Sequence, residues 1–199
     1  MSIMKCLATI ALLGSASLSL AAGNPEAGEE QAGLCAGCHG DDGNAAAPIF
    51  PKLAGQHASF LVKQLHDFRS QKRVEPTMNA MAEPLSDQDI QDLAAFYASK
   101  KITPEEAAPN KAGENLYKAG NPATGVPACT GCHGPKGRGN PSAGFPSLHG
   151  QYAAYLEKTL HDFKNGERAN DPNAVMRQVA KHMSDEEIAA VSDYASTLK

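Results

Sequence analysis

Cys35-Ala36-Gly37-Cys38-His39 recurs further along the chain as Cys129-Thr130-Gly131-Cys132-His133. Two cysteines separated by two residues and followed at once by histidine form the attachment sequence for c-type haem. The thiols add to the haem vinyl groups, and the histidine is then aimed at the iron. The two motifs therefore predict two covalently bound haem c groups. We expect the attachment residues to be Cys35, Cys38, Cys129 and Cys132, and the proximal iron ligands to be His39 and His133.

A Cys-x-x-Cys pair is also typical of a redox disulfide or of half a zinc site. Two motifs in register, each followed by histidine, favour haem attachment over both alternatives. Of the five cysteines in the chain, Cys6 lies in the N-terminal apolar segment and the other four lie in the two motifs. No cysteine outside the motifs therefore remains to form a disulfide in the mature chain.

The N-terminal segment has the pattern of a secretory signal peptide. Lys5 precedes an apolar stretch from Leu7 to Leu20, and small residues follow at Ala21 and Ala22. The stretch is short for a membrane span, so we expect residues 1–22 to be removed by cleavage near Ala21 or Ala22 rather than kept as an anchor. The prediction is a periplasmic protein, either soluble or held at a membrane surface.

The mature chain is mildly acidic, and the acidity is uneven. Residues 23–102 contain 7 basic and 11 acidic side chains, whereas residues 103–199 contain 10 and 11. No basic stripe indicates binding to nucleic acid. Because surface charge steers the encounter of proteins, the two halves are predicted to favour different partners.

The two motifs belong to a repeat that extends over the mature chain. Further blocks recur in the same order, and the pairs are Phe50-Pro51-Lys52-Leu53 with Phe145-Pro146-Ser147-Leu148, 55–68 with 150–163, and Leu85-Ser86-Asp87 with Met183-Ser184-Asp185. The repeat predicts two tandem domains, at 23–100 and 111–199. Residues 101–110 contain prolines and charges and are interpreted as a linker.

Each copy is predicted to be helical, because apolar residues recur at helical spacing and sustained strand alternation is lacking. The predicted helices are a first helix at 25–36 or 111–119, a middle helix at about 58–71 in the first copy, and a last helix that Ser86 or Ser184 caps. Gly28 and Gly113 are expected to let the first and last helices approach closely, against Phe96 and Tyr194.

The sixth iron ligand can be chosen by register. Met78 lies eight residues before Ser86, and Met176 lies eight residues before Ser184, so only these two of the four mature methionines are equivalent. Both are expected in loops where a thioether can reach the iron. Met81 and Met183 are interpreted as core filling. His66 and His161 are also equivalent and are the rival pair, but a position inside the middle helix favours a surface or local capping role.

The repeat also indicates how the proximal histidines are held. Pro51 lies 12 residues after His39, and Pro146 lies 13 residues after His133. A backbone carbonyl at this point can accept the imidazole N–H, which orients the ring and tunes the iron. The alternative is a loop proline that only shapes the edge of the haem site.

Taken together, the mature chain resembles the dihaem cytochrome c4 family. The resemblance is carried by the paired motifs, Phe-Pro-Lys-Leu-Ala-Gly-Gln at 50–56, Gly-Phe-Pro-Ser-Leu-His-Gly-Gln at 144–151 and Leu-Ser-Asp-Gln-Asp-Ile at 85–90. It implies an all-α protein made of two class I cytochrome c domains related by a pseudo-twofold axis. It also implies His/Met ligation of both irons, electron delivery to a terminal oxidase, and peripheral membrane association. The first distal loop departs from the second, because it lacks the Asn170-Asp171 pair.

An electron carrier is the function that these features favour. If both axial positions are filled, neither iron can bind a small-molecule substrate, and methionine ligation gives a relatively high potential. The expected partners are redox proteins, such as a quinol-oxidising complex as donor and a terminal oxidase as acceptor. The alternatives are a dihaem enzyme, either a peroxidase or a thiosulfate-oxidising cytochrome, and a subunit of a larger respiratory complex.

Overall fold

Residues 23–199 are described by the structure, a computed structural model, and the predicted signal peptide at 1–22 lies outside them. The first half contains α1 (Pro25–Gln31), α2 (Gly33–His39), α3 (Ala58–Arg69), α4 (Pro76–Ala82) and α5 (Asp87–Ser99). The second half contains α6 (Lys111–Ala119), α7 (Thr130–His133), α8 (Ala153–Asn165), α9 (Val175–Ala180) and α10 (Asp185–Ser196), with 3₁₀ turns at Pro141–Ala143 and Pro172–Ala174. Within this part of the chain, β pairing is limited to two isolated bridges.

The first helix has the predicted bounds in the second half, where α6 spans Lys111–Ala119, but it is broken in the first half. The predicted helix at 25–36 is wrong as one continuous element, because α1 stops before Ala32, whose N–H bonds to the carbonyl of Glu29 instead of one a full turn back. In the second half, Gly120 ends α6 with a φ of 72°. A loop then separates α6 from α7, which carries the second motif.

The first and last helices cross at glycine in both halves, as predicted. A Cβ added to Gly28 would lie 2.1 Å from the carbonyl oxygen of Asp92, and one added to Gly113 would lie 1.8 Å from that of Ala190. The side-chain Cβ atoms of Phe96 and Tyr194 are the next neighbours, at 2.8 and 2.9 Å. Only glycine permits a backbone approach this close.

Each half has its own apolar core. One core is formed by Ala32, Leu61, Leu93, Ala94, Phe96 and Tyr97. The other is formed by Leu116, Tyr117, Val126, Leu156, Met183, Ile188, Val191, Tyr194, Ala195 and Leu198. The separate cores are what two tandem domains require. Residues 101–110, between α5 and α6, have no regular secondary structure.

The two domains meet through reciprocal polar contacts. His57, in the first domain, bonds through Nε2 to the carbonyl of Arg138 at 2.8 Å. Its counterpart Tyr152, in the second domain, donates its hydroxyl to the carbonyl of Ala45. Equivalent positions therefore reach across the interface in opposite directions, as a pseudo-twofold relation demands. Among residues 23–199, the helices are too short or too polar to cross a bilayer.

The last helices, α5 and α10, each begin with a capping box. The Ser86 hydroxyl accepts the Asp89 N–H, and the Ser184 hydroxyl accepts the Glu187 N–H, while each acidic side chain bonds back to the serine N–H. Replacing either serine by alanine should cost about 1 kcal/mol of unfolding free energy, because one helix-end N–H loses its partner. Chemical denaturation of each variant measures this, and an unchanged midpoint for both would contradict it.

Candidate functional site

The first Cys-x-x-Cys-His motif lies on α2. Cys35 and Cys38 are three residues apart on this helix, so both side chains lie on neighbouring points of one face. Both cysteines are partly buried and unpaired. His39 is the last helical residue and is only 7% exposed. The motif thus brings two thiols and a buried imidazole together on a single short element.

The second motif has the same arrangement on a shorter helix. Cys129 is the N-cap of α7, and Cys132 and His133 complete the helix. His133 is also 7% exposed, and both cysteines are partly buried and unpaired. The two predicted attachment sites therefore match, although the segments that lead into them differ.

Both histidines are oriented by the predicted proline carbonyls. His39 Nδ1 lies 2.9 Å from the carbonyl oxygen of Pro51, and His133 Nδ1 lies 2.9 Å from that of Pro146. A carbonyl can only accept, so each Nδ1 carries the proton and each Nε2 has its lone pair free. Burial lowers the pKa of both rings, although the proline carbonyls oppose this. Neutral imidazoles with a free Nε2 are suited to bind iron.

The first thiol of each motif does not have the lowered pKa of a redox-active cysteine. Burial raises the pKa of Cys35, and it raises the pKa of Cys129 to about 11. A reactive thiol of an oxidoreductase instead has a lowered pKa, because the thiolate is the attacking species. The electrostatic surroundings of the two motifs thus disfavour the disulfide-exchange alternative.

The candidate distal methionines lie on helices, so the expectation of loops is wrong. Met78 is in the first turn of α4, where Glu75 caps the helix by accepting the Met78 N–H at 2.8 Å and Pro76 occupies the first position. Met176 is in the first turn of α9. Proline at the first helical position favours helix initiation, which explains the difference in the first domain. Both methionines are partly buried.

The other methionines and the rival histidines take different places. Met183 is 4% exposed and belongs to the core of the second domain, as interpreted from the register, whereas Met81 is only partly buried and lies outside the first-domain core. His66 Nδ1 lies 3.9 Å from an Asp87 carboxylate oxygen, and His161 Nδ1 lies 3.9 Å from one of Asp185. Both histidine side chains are about one-third exposed. They therefore face the start of the last helix in their domains.

A pair of arginines at the domain interface, Arg168 buried and Arg73 partly buried, was missed by sequence reasoning. Arg73 and Arg168 are equivalent in the repeat, and each guanidinium stacks 4.6 Å from a phenylalanine ring, that of Phe68 or Phe163. Both donate to the Gln64 side-chain oxygen, at 2.9 and 3.0 Å. The signal that could have revealed them is their shared register, which had selected the methionines.

The arginine pair creates a positive environment. Within residues 23–199, neither guanidinium forms an ion pair with a carboxylate. Burial raises the pKa of the Tyr155 phenol, but Arg73 and Arg168 outweigh this and hold it at about 8. Burial and the neighbouring Arg73 lower the pKa of Arg168, and Asp162 and Asp171 only partly oppose this, so the positive charge here suits an anionic group.

These residues fit haem. Each motif offers two thiols for attachment and one oriented imidazole for the iron, and the arginine pair would supply positive charge to an anionic group such as a haem propionate. Each domain also supplies a partly buried methionine in register with its counterpart. The fit is the same in both halves, as expected for two cofactors of one kind.

The comparisons with known proteins agree with this reading. The family model "Cytochrome c" matches residues 25–101 and again 111–199. Cytochrome c4 of Thiocapsa roseopersicina is 54% identical over 180 residues, which cover 88% of this chain and 93% of the relative. Cytochrome c4 of Pseudomonas aeruginosa is 47% identical over 189 residues, which cover 94% of each.

A solved structure extends the likeness to three dimensions. The crystal structure of reduced recombinant cytochrome c4 from Pseudomonas stutzeri superposes with a TM-score of 0.87 at 46% identity, and covers 89% of this chain and 100% of that one. The predicted all-α fold of two tandem cytochrome c domains and the two covalent haem c groups are confirmed. The chain therefore belongs to the cytochrome c family, as a dihaem electron-transfer protein of the cytochrome c4 type and not an enzyme.

Proposed function

We propose that the protein is a periplasmic carrier that passes single electrons from a respiratory donor, such as a quinol-oxidising complex, to a terminal oxidase. The observation that carries the proposal is the matched pair of buried histidines, each tied through Nδ1 to a proline carbonyl at 2.9 Å. A rigid and desolvated ligand changes little when the iron changes oxidation state, which suits electron transfer over substrate chemistry.

The proposed attachment residues are Cys35, Cys38, Cys129 and Cys132. The proposed axial ligands are His39 with Met78, and His133 with Met176. Haem supplies an iron that cycles between the ferric and ferrous states, one electron at a time. The chain's own residues orient the imidazole and exclude water from it. Met78 and Met176 would each supply a thioether, which favours the ferrous state and raises the potential. With both ligands in place, the iron would have no position for oxygen or peroxide.

The uneven charge supports different partners for the two domains. The first domain has the larger acid excess, with 7 basic and 11 acidic side chains in residues 23–102. Glu30 and Glu83 are exposed there and take no part in the two sites. We propose that this surface meets a partner with a positive patch, since complementary charge accelerates encounter at low salt.

A stopped-flow comparison of electron transfer tests this proposal. The variant Glu30→Lys/Glu83→Lys reverses two charges on the first domain, and Glu106→Lys/Glu167→Lys makes the same change in the linker and second domain. The first variant should slow reduction or oxidation by one respiratory partner at least about tenfold at low salt, and the effect should vanish at high salt. The second should not affect that partner. Equal rates for all proteins, or turnover of peroxide or thiosulfate by the isolated protein, would overturn the proposal.

A further inference from the structure

Two buried glutamines form a crossed contact between the domains. Gln56 and Gln151 are equivalent in the repeat, follow Gly55 and Gly150, and are 9% and 6% exposed. A buried side-chain amide needs partners for both its oxygen and its nitrogen. In each case the partners lie on a single residue of the opposite domain.

The hydrogen bonds are reciprocal in detail. Gln151 accepts the Lys52 N–H through Oε1 at 2.9 Å and donates from Nε2 to the Lys52 carbonyl at 2.8 Å. Gln56 accepts the Ser147 N–H at 3.0 Å and donates to the Ser147 carbonyl at 2.9 Å. Each glutamine amide thus binds both the N–H and the carbonyl of one residue in the opposite domain, as the backbone of a neighbouring β-strand would.

Each glutamine is also held in place from its own side. The Oε1 of Gln56 accepts the N–H of His57 at 3.0 Å, and the Oε1 of Gln151 accepts the N–H of Tyr152 at 3.0 Å. The side chains are therefore oriented before they meet the opposite backbone. Because each side chain is already ordered by its own domain, its hydrogen bonds to the opposite domain stay formed.

The residues that the glutamines hold directly follow the two prolines. Lys52 N–H belongs to the same peptide group as the Pro51 carbonyl, and Ser147 N–H belongs to the same group as the Pro146 carbonyl. The peptide group is conjugated. When its N–H donates a hydrogen bond, the negative charge on its carbonyl oxygen therefore increases. That oxygen is the one that accepts the proton of His39 or His133.

We propose that Gln56 and Gln151 are positioning residues that tune the haem of the opposite domain: Gln151 acts on the site of His39, and Gln56 acts on the site of His133. A stronger carbonyl acceptor makes the imidazole a better electron donor to iron, which stabilises the ferric state and lowers the potential. The interface therefore sets the two potentials in a crossed manner. This inference rests on the proposed ligation by the two histidines.

The test is an NMR-monitored redox titration of the full dihaem protein, with the haem methyl signals assigned to each domain. Gln151→Leu should raise the potential of the first-domain haem, and Gln56→Leu that of the second-domain haem. We expect about a threefold change in each redox equilibrium, which corresponds to about 28 mV for a one-electron couple. The other haem in each variant should keep its potential.

Tyr152→Phe is the matched control. It removes another hydrogen bond across the interface, to Ala45, but leaves both proline peptide groups untouched. It should leave both potentials unchanged. A shift of the same size in this variant, a shift in the glutamine's own domain, equal shifts in both haems, or no shift would each overturn the inference.

Asparagine variants and the wild-type spectrum separate a failure of the glutamine role from a failure of the proposed ligation. Where a leucine variant fails to fold, Gln151→Asn and Gln56→Asn shorten the side chain by one methylene and keep the interface polar, and the same crossed shift is required of them. The proposed ligation is judged separately from the low-spin spectrum of the wild-type protein. Normal low-spin spectra with unshifted potentials reject only the role of the glutamines, whereas a wild-type spectrum without histidine ligation rejects the proposed site itself.

Discussion

Replacing Met176 by leucine is expected to remove the sulfur ligand from the second-domain iron while the first-domain iron keeps its own. About half of the near-infrared sulfur-to-iron absorption of the oxidised protein should disappear. The potential of that haem should fall, because a thioether stabilises the ferrous state. Met78→Leu should have the same effect on the first domain. Visible and near-infrared spectra recorded during a redox titration measure both changes.

Met183→Leu is the control for this experiment. Met183 is 4% exposed in the core of the second domain, and it has no methionine counterpart in the first. A methionine-to-leucine change in a core conserves volume and should cost less than about 1.5 kcal/mol. The near-infrared band should remain intact. Loss of the band in Met183→Leu but not in Met176→Leu would mean that the register had selected the wrong methionine.

Gly113→Ala is expected to destabilise the second domain strongly. The new Cβ would lie 1.8 Å from the carbonyl oxygen of Ala190 and 2.9 Å from the Cβ of Tyr194, so α6 and α10 would have to move apart. Overpacking of this kind should cost about 3 kcal/mol or more. The melting temperature should then fall by more than roughly 10 °C. Thermal unfolding of the reduced protein, followed by circular dichroism, measures the loss.

Gly33→Ala provides the comparison. Gly33 is the first residue of α2, and a Cβ there would meet no atom of the described chain within 4 Å. Alanine at a compatible helical position usually stabilises by about 0.4–1 kcal/mol, because the unfolded chain loses freedom. Opposite signs for the two glycine variants are therefore expected. A Gly113→Ala protein as stable as the wild type would show that the helix crossing can relax.

Much of the molecule could be predicted from the repeat, because the two copies adopt the same fold and their equivalent positions can be compared. It placed Gly28 and Gly113 at the helix crossings, where the structure shows a close backbone approach, and the choice of Met78 and Met176 from the four mature methionines stays a prediction. The break at Ala32 and the helices around the two methionines were missed. Short helices depend on local caps and tertiary packing more than on periodicity, and α4 begins with such local signals, the Glu75 cap and Pro76.

The sequence by itself determined the cofactor, because Cys-x-x-Cys-His is a local motif that attaches haem covalently without any distant residue. It also determined the number of domains, because the motif recurs within a longer repeat. Only the tertiary structure decided how the two sites are linked. That Gln151 holds Lys52 and Gln56 holds Ser147 depends on which faces of the domains meet. Equivalence in a repeat shows which residues share a position, but it carries no information on the faces that pack together. Register marks Arg73 and Arg168 as equivalent positions, but their shared contact with Gln64 exists only once the domains are assembled.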